Sequence, residues 1–145
     1  MEMNYSEVMY RVNCMASDLN SLYHQAALKL GMSDTVLFLL YLVYENDGSC
    51  LIKDIQQETQ ISKQTLNSAI RKLEKEDIIY LEQSGGRAKI VCLTQKGKEY
   101  TDHTIARLFQ AEREAFKGWT QEEIDQYLAL MERYNNQFRL QIDRM

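Results

Sequence analysis

With 145 residues, 45% of them hydrophobic and 26% charged, the sequence is long enough to bury its own core without disulfides or a structural metal. It contains no proline and only 6 glycines, a helix-leaning globular composition rather than a disordered one. The formal charge of −4 is unevenly spread: Lys and Arg against Asp and Glu number 3 to 8 over residues 1–60, 8 to 5 over 61–100 and 6 to 8 over 101–145. The middle block alone is net positive, which points to a local anionic partner.

The N-terminal stretch MEMNYSEVMYRV carries early acids and no uninterrupted apolar core, so it lacks the build of a secretory signal. From Tyr5 to Leu30 the apolar residues Tyr5, Val8, Val12, Met15, Leu19, Leu22, Ala26 and Leu30 recur at steps of three and four. That spacing predicts one long amphipathic helix, ended by Gly31. Ser33 is placed to cap a second helix, TVLFLLYLVYE, which is apolar on nearly every face until Asn46-Asp47-Gly48 breaks it. Its longest apolar run, Val36 to Tyr44, is far shorter than the roughly 20 residues a membrane span requires, and it reads as buried core.

After a short stretch at Ser49 to Leu51, IKDIQQETQ predicts a helix of about two turns, and Ser62 caps another, SKQTLNSAIRKLEKED. Two short helices joined by a tight turn form a helix-turn-helix. The second helix divides cleanly: Leu66, Ala69, Ile70 and Leu73 share one face, and Gln64, Asn67, Ser68, Arg71 and Lys75 share the other. Next, IIYLEQ and AKIVCLT flank Ser84-Gly85-Gly86-Arg87, a pattern for a two-stranded ribbon with a glycine-permitted turn. Helix-turn-helix followed by such a ribbon is a winged helix. Thr94 then caps a helix that keeps its apolar spacing to Gly118, and Thr120-Gln-Glu-Glu123 fits a capping box opening a last helix with Ile124, Tyr127, Leu128, Met131, Tyr134, Phe138 and Ile142.

The expected chemistry sits in the middle block. A recognition helix reads base edges in the major groove through amide, hydroxyl and guanidinium groups, and Gln64, Thr65, Asn67, Ser68 and Arg71 are of those types. The helix start at Ser62-Lys63-Gln64 also offers free backbone N–H groups to a phosphate. At the wing, Gly85 and Gly86 keep the tip narrow, and Arg87, with Lys89 behind it, is suited to a minor groove narrowed by A·T-rich sequence.

Catalytic and metal chemistry have no pattern here. There is no phosphate-binding glycine loop or nucleophile motif, and Ser62 is better used as a cap. Cys14, Cys50 and Cys92 are an odd number without a CxxC pair, and only His24 and His103 could join them. We therefore expect no enzyme, no catalytic residues, no metal, no cofactor and no membrane partner, and a cytoplasmic protein with reduced thiols.

The stretch ISKQTLNSAIRKLEKEDIIYLE followed by GRAKIVCLTQKGKEY resembles the MarR family of bacterial transcriptional regulators, whose members share S-x-x-T…L-E in the recognition helix and R-x-K…L-T-x-x-G at the exit from a basic wing. The long first helix and the closing helices are similar to that family's architecture over essentially the whole chain. The resemblance implies a mainly α fold with a small β-hairpin wing, organised as one domain over residues 1–145. Within it, residues 33–94 form the DNA-binding lobe, and residues 1–32 with 95–145 form the helical dimerisation lobe. It also implies a homodimeric repressor on a pseudo-palindromic double-stranded operator, contacted through Ser62, Lys63, Gln64, Thr65, Asn67, Ser68, Arg71, Arg87 and Lys89. Many members carry an Asp two residues before the wing arginine to orient it, where this chain has Gly85. A small aromatic effector is further implied, with Tyr23, His24, Phe38, Tyr41 and Tyr44 as candidate lining. Two alternatives stay open at this level: a winged helix that binds protein rather than DNA, and a thiol-based redox sensor using Cys14, as in the hydroperoxide-sensing members.

Overall fold

A helix apolar on nearly every face has to be enclosed, and the rest of the winged-helix lobe is arranged around one. A computed structural model describes residues 2–145 and contains, in chain order, α1 (Tyr5–Leu30), α2 (Asp34–Glu45), β1 (Ser49–Leu51), α3 (Ile52–Thr59), α4 (Lys63–Lys75), β2 (Ile79–Ser84), β3 (Ala88–Leu93), α5 (Gln95–His103), α6 (Ile105–Ala115) and α7 (Gln121–Asp143). Val36, Leu37, Leu39, Leu40 and Val43 of α2 are buried. They pack with Ala27, Ile55, Leu66, Ile70, Leu73, Ile79, Val91 and Ile105 in one cluster. Each fully buried aliphatic side chain contributes about 1.5–3 kcal/mol.

The expected caps are in place. Gly31 ends α1 in the left-handed region (φ 71°), with the Met32 N–H donating to Ala27 O at 3.0 Å. Ser33 Oγ accepts from the Val36 N–H at 3.2 Å, and Thr120 and Glu123 form the reciprocal capping box of α7. These are short-range interactions between residues three to five apart, worth about 1 kcal/mol each at a helix start.

Two elements differ from the sequence expectation. Ser49–Leu51 is a strand: β1 pairs antiparallel with β3 (Ser49↔Cys92, Cys50↔Val91, Leu51↔Ile90), and β3 pairs with β2, giving a three-stranded sheet of order β1-β3-β2 rather than a two-stranded ribbon. Three residues carry too little periodicity to announce a strand whose partner lies some forty positions away. The helix expected from Thr94 to Gly118 is instead two, broken at Thr104 (φ −124°, ψ −76°). No glycine or proline marks the break. Just before it, the Thr101 and Thr104 hydroxyls donate to the Lys98 and Tyr100 carbonyls at 3.1 and 2.8 Å, and His103 Nδ1 lies 2.7 Å from Glu99 O. Side chains bonded back onto the preceding turn bend helices.

The chain divides into two compact units, the first ending at Phe109 and the second Gln110–Met145. In the first, only the C-terminal end of α1 (Tyr23, Ala26, Ala27, Leu30) joins the core, while Tyr5, Val8, Met15, Leu19 and Leu22 of its apolar stripe are exposed. In the second, α7 buries no residue and exposes Tyr127, Leu128, Met131, Tyr134, Phe138 and Ile142. Trp119 stands edge-on to Phe116 (5.1 Å) and Tyr127 (5.7 Å).

The first turn of α5 is pressed onto the segment that leaves α4. Thr94 Oγ1 accepts from the Gly97 N–H at 2.9 Å, and the Thr94 N–H donates to Ile78 O at 3.1 Å. A Cβ on Gly97 would overlap the Ile78 carbonyl oxygen and lie 3.3 Å from Leu93 Cδ2. This close approach is the physical content of the L-T-x-x-G signature. Gly97→Ala is expected to destabilise the fold by about 2 kcal/mol or more, read as a lowered urea midpoint, because backbone and helix must separate.

Candidate nucleic-acid interface

Helix α4 presents its polar face because its apolar face is fully used: Leu66, Ala69, Ile70 and Leu73 are buried, whereas Lys63, Gln64, Thr65, Ser68 and Arg71 are exposed and Asn67 is half-buried. Ser62 is the N-cap, its Oγ accepting from the Thr65 N–H at 3.2 Å and donating to Thr65 Oγ1 at 2.8 Å. That bond satisfies one of the orphan amides of the first turn. The remaining free N–H groups carry the positive end of the helix dipole, next to the Lys63 ammonium. Basic residues also occupy the last turn, Lys72 and Lys75, where they complement the dipole.

The wing is a three-residue turn closed by the Ser84↔Ala88 pair. Gly85 (φ 45°) and Gly86 (φ 66°) take left-handed conformations that side chains adopt rarely, and Gln83 Nε2 donates to Gly86 O at 3.2 Å. Arg87 follows at the tip, exposed and without a hydrogen bond or ion pair among the described residues; Lys89, on β3 opposite Gln83, is exposed too. With Gly85 in place of an acidic residue, no carboxylate two positions earlier holds the guanidinium. Six of the seven helix candidates thus lie on α4 outside its buried face, Ser62 caps its start, and the two basic residues lie on one hairpin.

The five aromatic and histidine candidates are not gathered in one cavity. Phe38 and Tyr41 line a groove of about 270 Å³ with Leu42, Glu58 and Thr59, and Tyr23 packs against Phe38 at 6.0 Å. Tyr44 lines a separate cleft of about 330 Å³ with Asp47, Lys98 and Asp102. Phe109 contacts an aromatic ring from each region, stacking on Tyr41 at 4.5 Å and meeting Tyr44 edge-on at 5.2 Å. His24 lies at the surface, its Nδ1 2.9 Å from Asp34 Oδ1 in a pair more than half exposed, which is worth well under about 1 kcal/mol.

Among the thiols, Cys14 is exposed on α1, Cys50 half-buried and Cys92 buried. Burial pushes the Cys50 thiol up, and Asp54 and Glu58 add to it; burial and then Glu82, which accepts from the Cys92 thiol at 3.6 Å, do the same for Cys92. The Tyr100 phenol is also raised, by burial and then by the Glu76 carboxylate.

Residues 30–90 match the family model described as MarR family. Solved structures agree in fold over nearly the full length. A MarR family regulator from Neisseria meningitidis, NMB1585, is 16% identical over 99% of both chains with a TM-score of 0.79. AbsC, a MarR family transcriptional regulator from Streptomyces coelicolor, is 15% identical over 96% of this chain and 97% of its own, with a TM-score of 0.72. NadR in complex with 4-hydroxyphenylacetate is 14% identical over 92% of each chain, with a TM-score of 0.67. No curated protein matches the chain. No single helix among the described residues is long and apolar enough to cross a membrane.

The raised thiols set a pH dependence. In the folded state Cys50 and Cys92 keep their protons to higher pH than in the unfolded chain, so the stability they carry is complete below about pH 8.5 and is lost as pH rises beyond it, the Tyr100 phenol following only above about pH 10. The urea midpoint is expected to fall between pH 7.5 and 9.5, and Cys92→Ala to flatten that fall.

Proposed function

We propose, from the match of residues 30–90 to the MarR family model, that the chain is a MarR family transcriptional regulator that binds duplex DNA as a homodimer and represses by occupying its operator. The observation that carries this reading is the pairing of an exposed hydrogen-bonding face on α4 with a free arginine at a glycine-hinged wing tip, both within the only net-positive block. Helix α4 supplies base contacts from Gln64, Thr65, Asn67, Ser68 and Arg71 and phosphate contacts from Lys63 and the first-turn amides near Ser62. Arg87 and Lys89 supply the wing contacts. The second copy of the chain accounts for the apolar side chains exposed on α1 and on α7, which are more than a monomer's surface normally leaves open.

Release by a small aromatic effector is part of the same proposal. The groove lined by Phe38 and Tyr41, flanked by Tyr23, supports it best, because it offers aromatic faces at the surface of the central helix.

Selection of genomic fragments at low and moderate salt tests the reading. An enriched inverted repeat is expected, bound with an affinity that falls steeply as salt rises, by about 0.9 decades per decade of salt for each phosphate contacted. Purified dimer that enriches no such repeat supports the rival in which the winged helix binds protein. Arg71→Ala is expected to cost about 1–3 kcal/mol and relax base preference at one position per half-site. Arg87→Ala is expected to weaken binding selectively where the flanks are A·T-rich, measured by exchanging those flanks for G·C.

A further inference from the structure

Three successive carbonyls at the exit of α4, those of Glu76, Asp77 and Ile78, are all engaged by the first turn of α5. Lys96 Nζ donates to Glu76 O at 2.9 Å; Thr94 Oγ1 lies 2.5 Å from Asp77 O and 3.2 Å from Ile78 O; and the Thr94 N–H donates to Ile78 O at 3.1 Å. Gly97 lies against that same Ile78 oxygen, and the Tyr100 phenol is close enough to the Glu76 carboxylate for its ionisation to be opposed. The helix end being held is one that needs holding. Its last carbonyls have no partner within α4. The chain also turns there at Asp77, a non-glycine residue in the left-handed region (φ 60°), with the Asp77 and Ile78 N–H groups returning to Glu74 O and Leu73 O at 3.0 and 2.9 Å.

Thr94 and Gly97 perform tasks that the fold itself requires. Lys96 does not: its side chain is exposed, its residue is not in the core, and its one partner among the described residues is the Glu76 carbonyl at the C-terminal cap of α4. An ammonium there satisfies an orphan acceptor and faces the negative end of the helix dipole. We propose that Lys96 is a positioning residue for DNA recognition: anchored on α5, it fixes the C-terminal end of α4, and so the pitch at which the polar face of that helix meets the groove, without itself contacting DNA. The proposal rests on the DNA-binding reading, and its test separates the two.

Lys96→Met and Lys96→Arg are compared with the wild type in two ways. The first is affinity for the inverted repeat enriched by the wild type, measured across a series of salt concentrations. Lys96→Met is expected to bind about 3- to 10-fold more weakly, Lys96→Arg within about twofold of wild type, and the slope of log K against log salt to be the same for all three. The second is amide hydrogen exchange of the free protein: Asp77 and Ile78 are expected to exchange several-fold faster in Lys96→Met, while Leu39 and Leu40 of α2 keep wild-type rates and so report an intact fold. Unchanged affinity or unchanged exchange at Asp77 and Ile78 overturns the positioning role. A slope shallower by about one overturns it as well, since Lys96 would then be a phosphate contact. A wild-type protein that enriches no DNA defeats the regulatory reading and this role with it, while the exchange arm still decides whether Lys96 holds the helix end.

Discussion

The carbonyl group of Ile78 is the point at which the recognition helix, the wing and the exit helix are tied together. It accepts the Thr94 N–H, lies within reach of the Thr94 hydroxyl and leaves room at residue 97 for hydrogen alone. Strand β2 begins at the next residue, so the position of α5 and the root of the wing cannot be adjusted separately. A close-packed contact of this kind transmits displacement rather than absorbing it. Any movement of the first turn of α5 is therefore passed to the end of α4.

The second constraint is apolar area. Helix α2 spends its hydrophobic residues inside the lobe, but α1 and α7 are each long enough to carry a stripe that their own unit does not cover. In the proposed homodimer a second copy supplies the missing partner and at the same time duplicates α4 and its wing. On this account dimerisation and operator symmetry are one requirement: the surface that makes the dimer fixes the spacing of two α4 helices, and hence of two half-sites.

Much of the fold was legible because its punctuation is local. Gly31, Ser33, Ser62, Thr94 and Thr120 each act within three to five residues, so the sequence window that contains the cap also contains its partner. The division of α4 into buried and exposed faces was legible for the same reason. What escaped was non-local. Strand β1 exists because β3 offers it a register, and nothing in Ser49–Leu51 alone encodes that. The break at Thr104 depends on three back-bonding side chains, Thr101, His103 and Thr104, that helical periodicity does not register. Of the candidate site, residue types and faces could be read directly, but the scatter of the five aromatic and histidine candidates over separate grooves could not. Phe109, which organises two of them, lies nearly seventy residues downstream of Tyr41 and Tyr44. Lys96 was missed because a lysine beside a helix cap reads as solvated charge until its backbone partner is seen.

The central claim, that two copies of the chain present two α4 helices to one face of a duplex, is tested most directly by hydroxyl-radical footprinting of the dimer on its selected DNA. The account predicts two-fold symmetric protection, with major-groove half-sites about one helical turn apart and additional protection in the flanking minor grooves where Arg87 reaches. Protection of a single half-site, or of the backbone uniformly with no symmetric pattern, would contradict it.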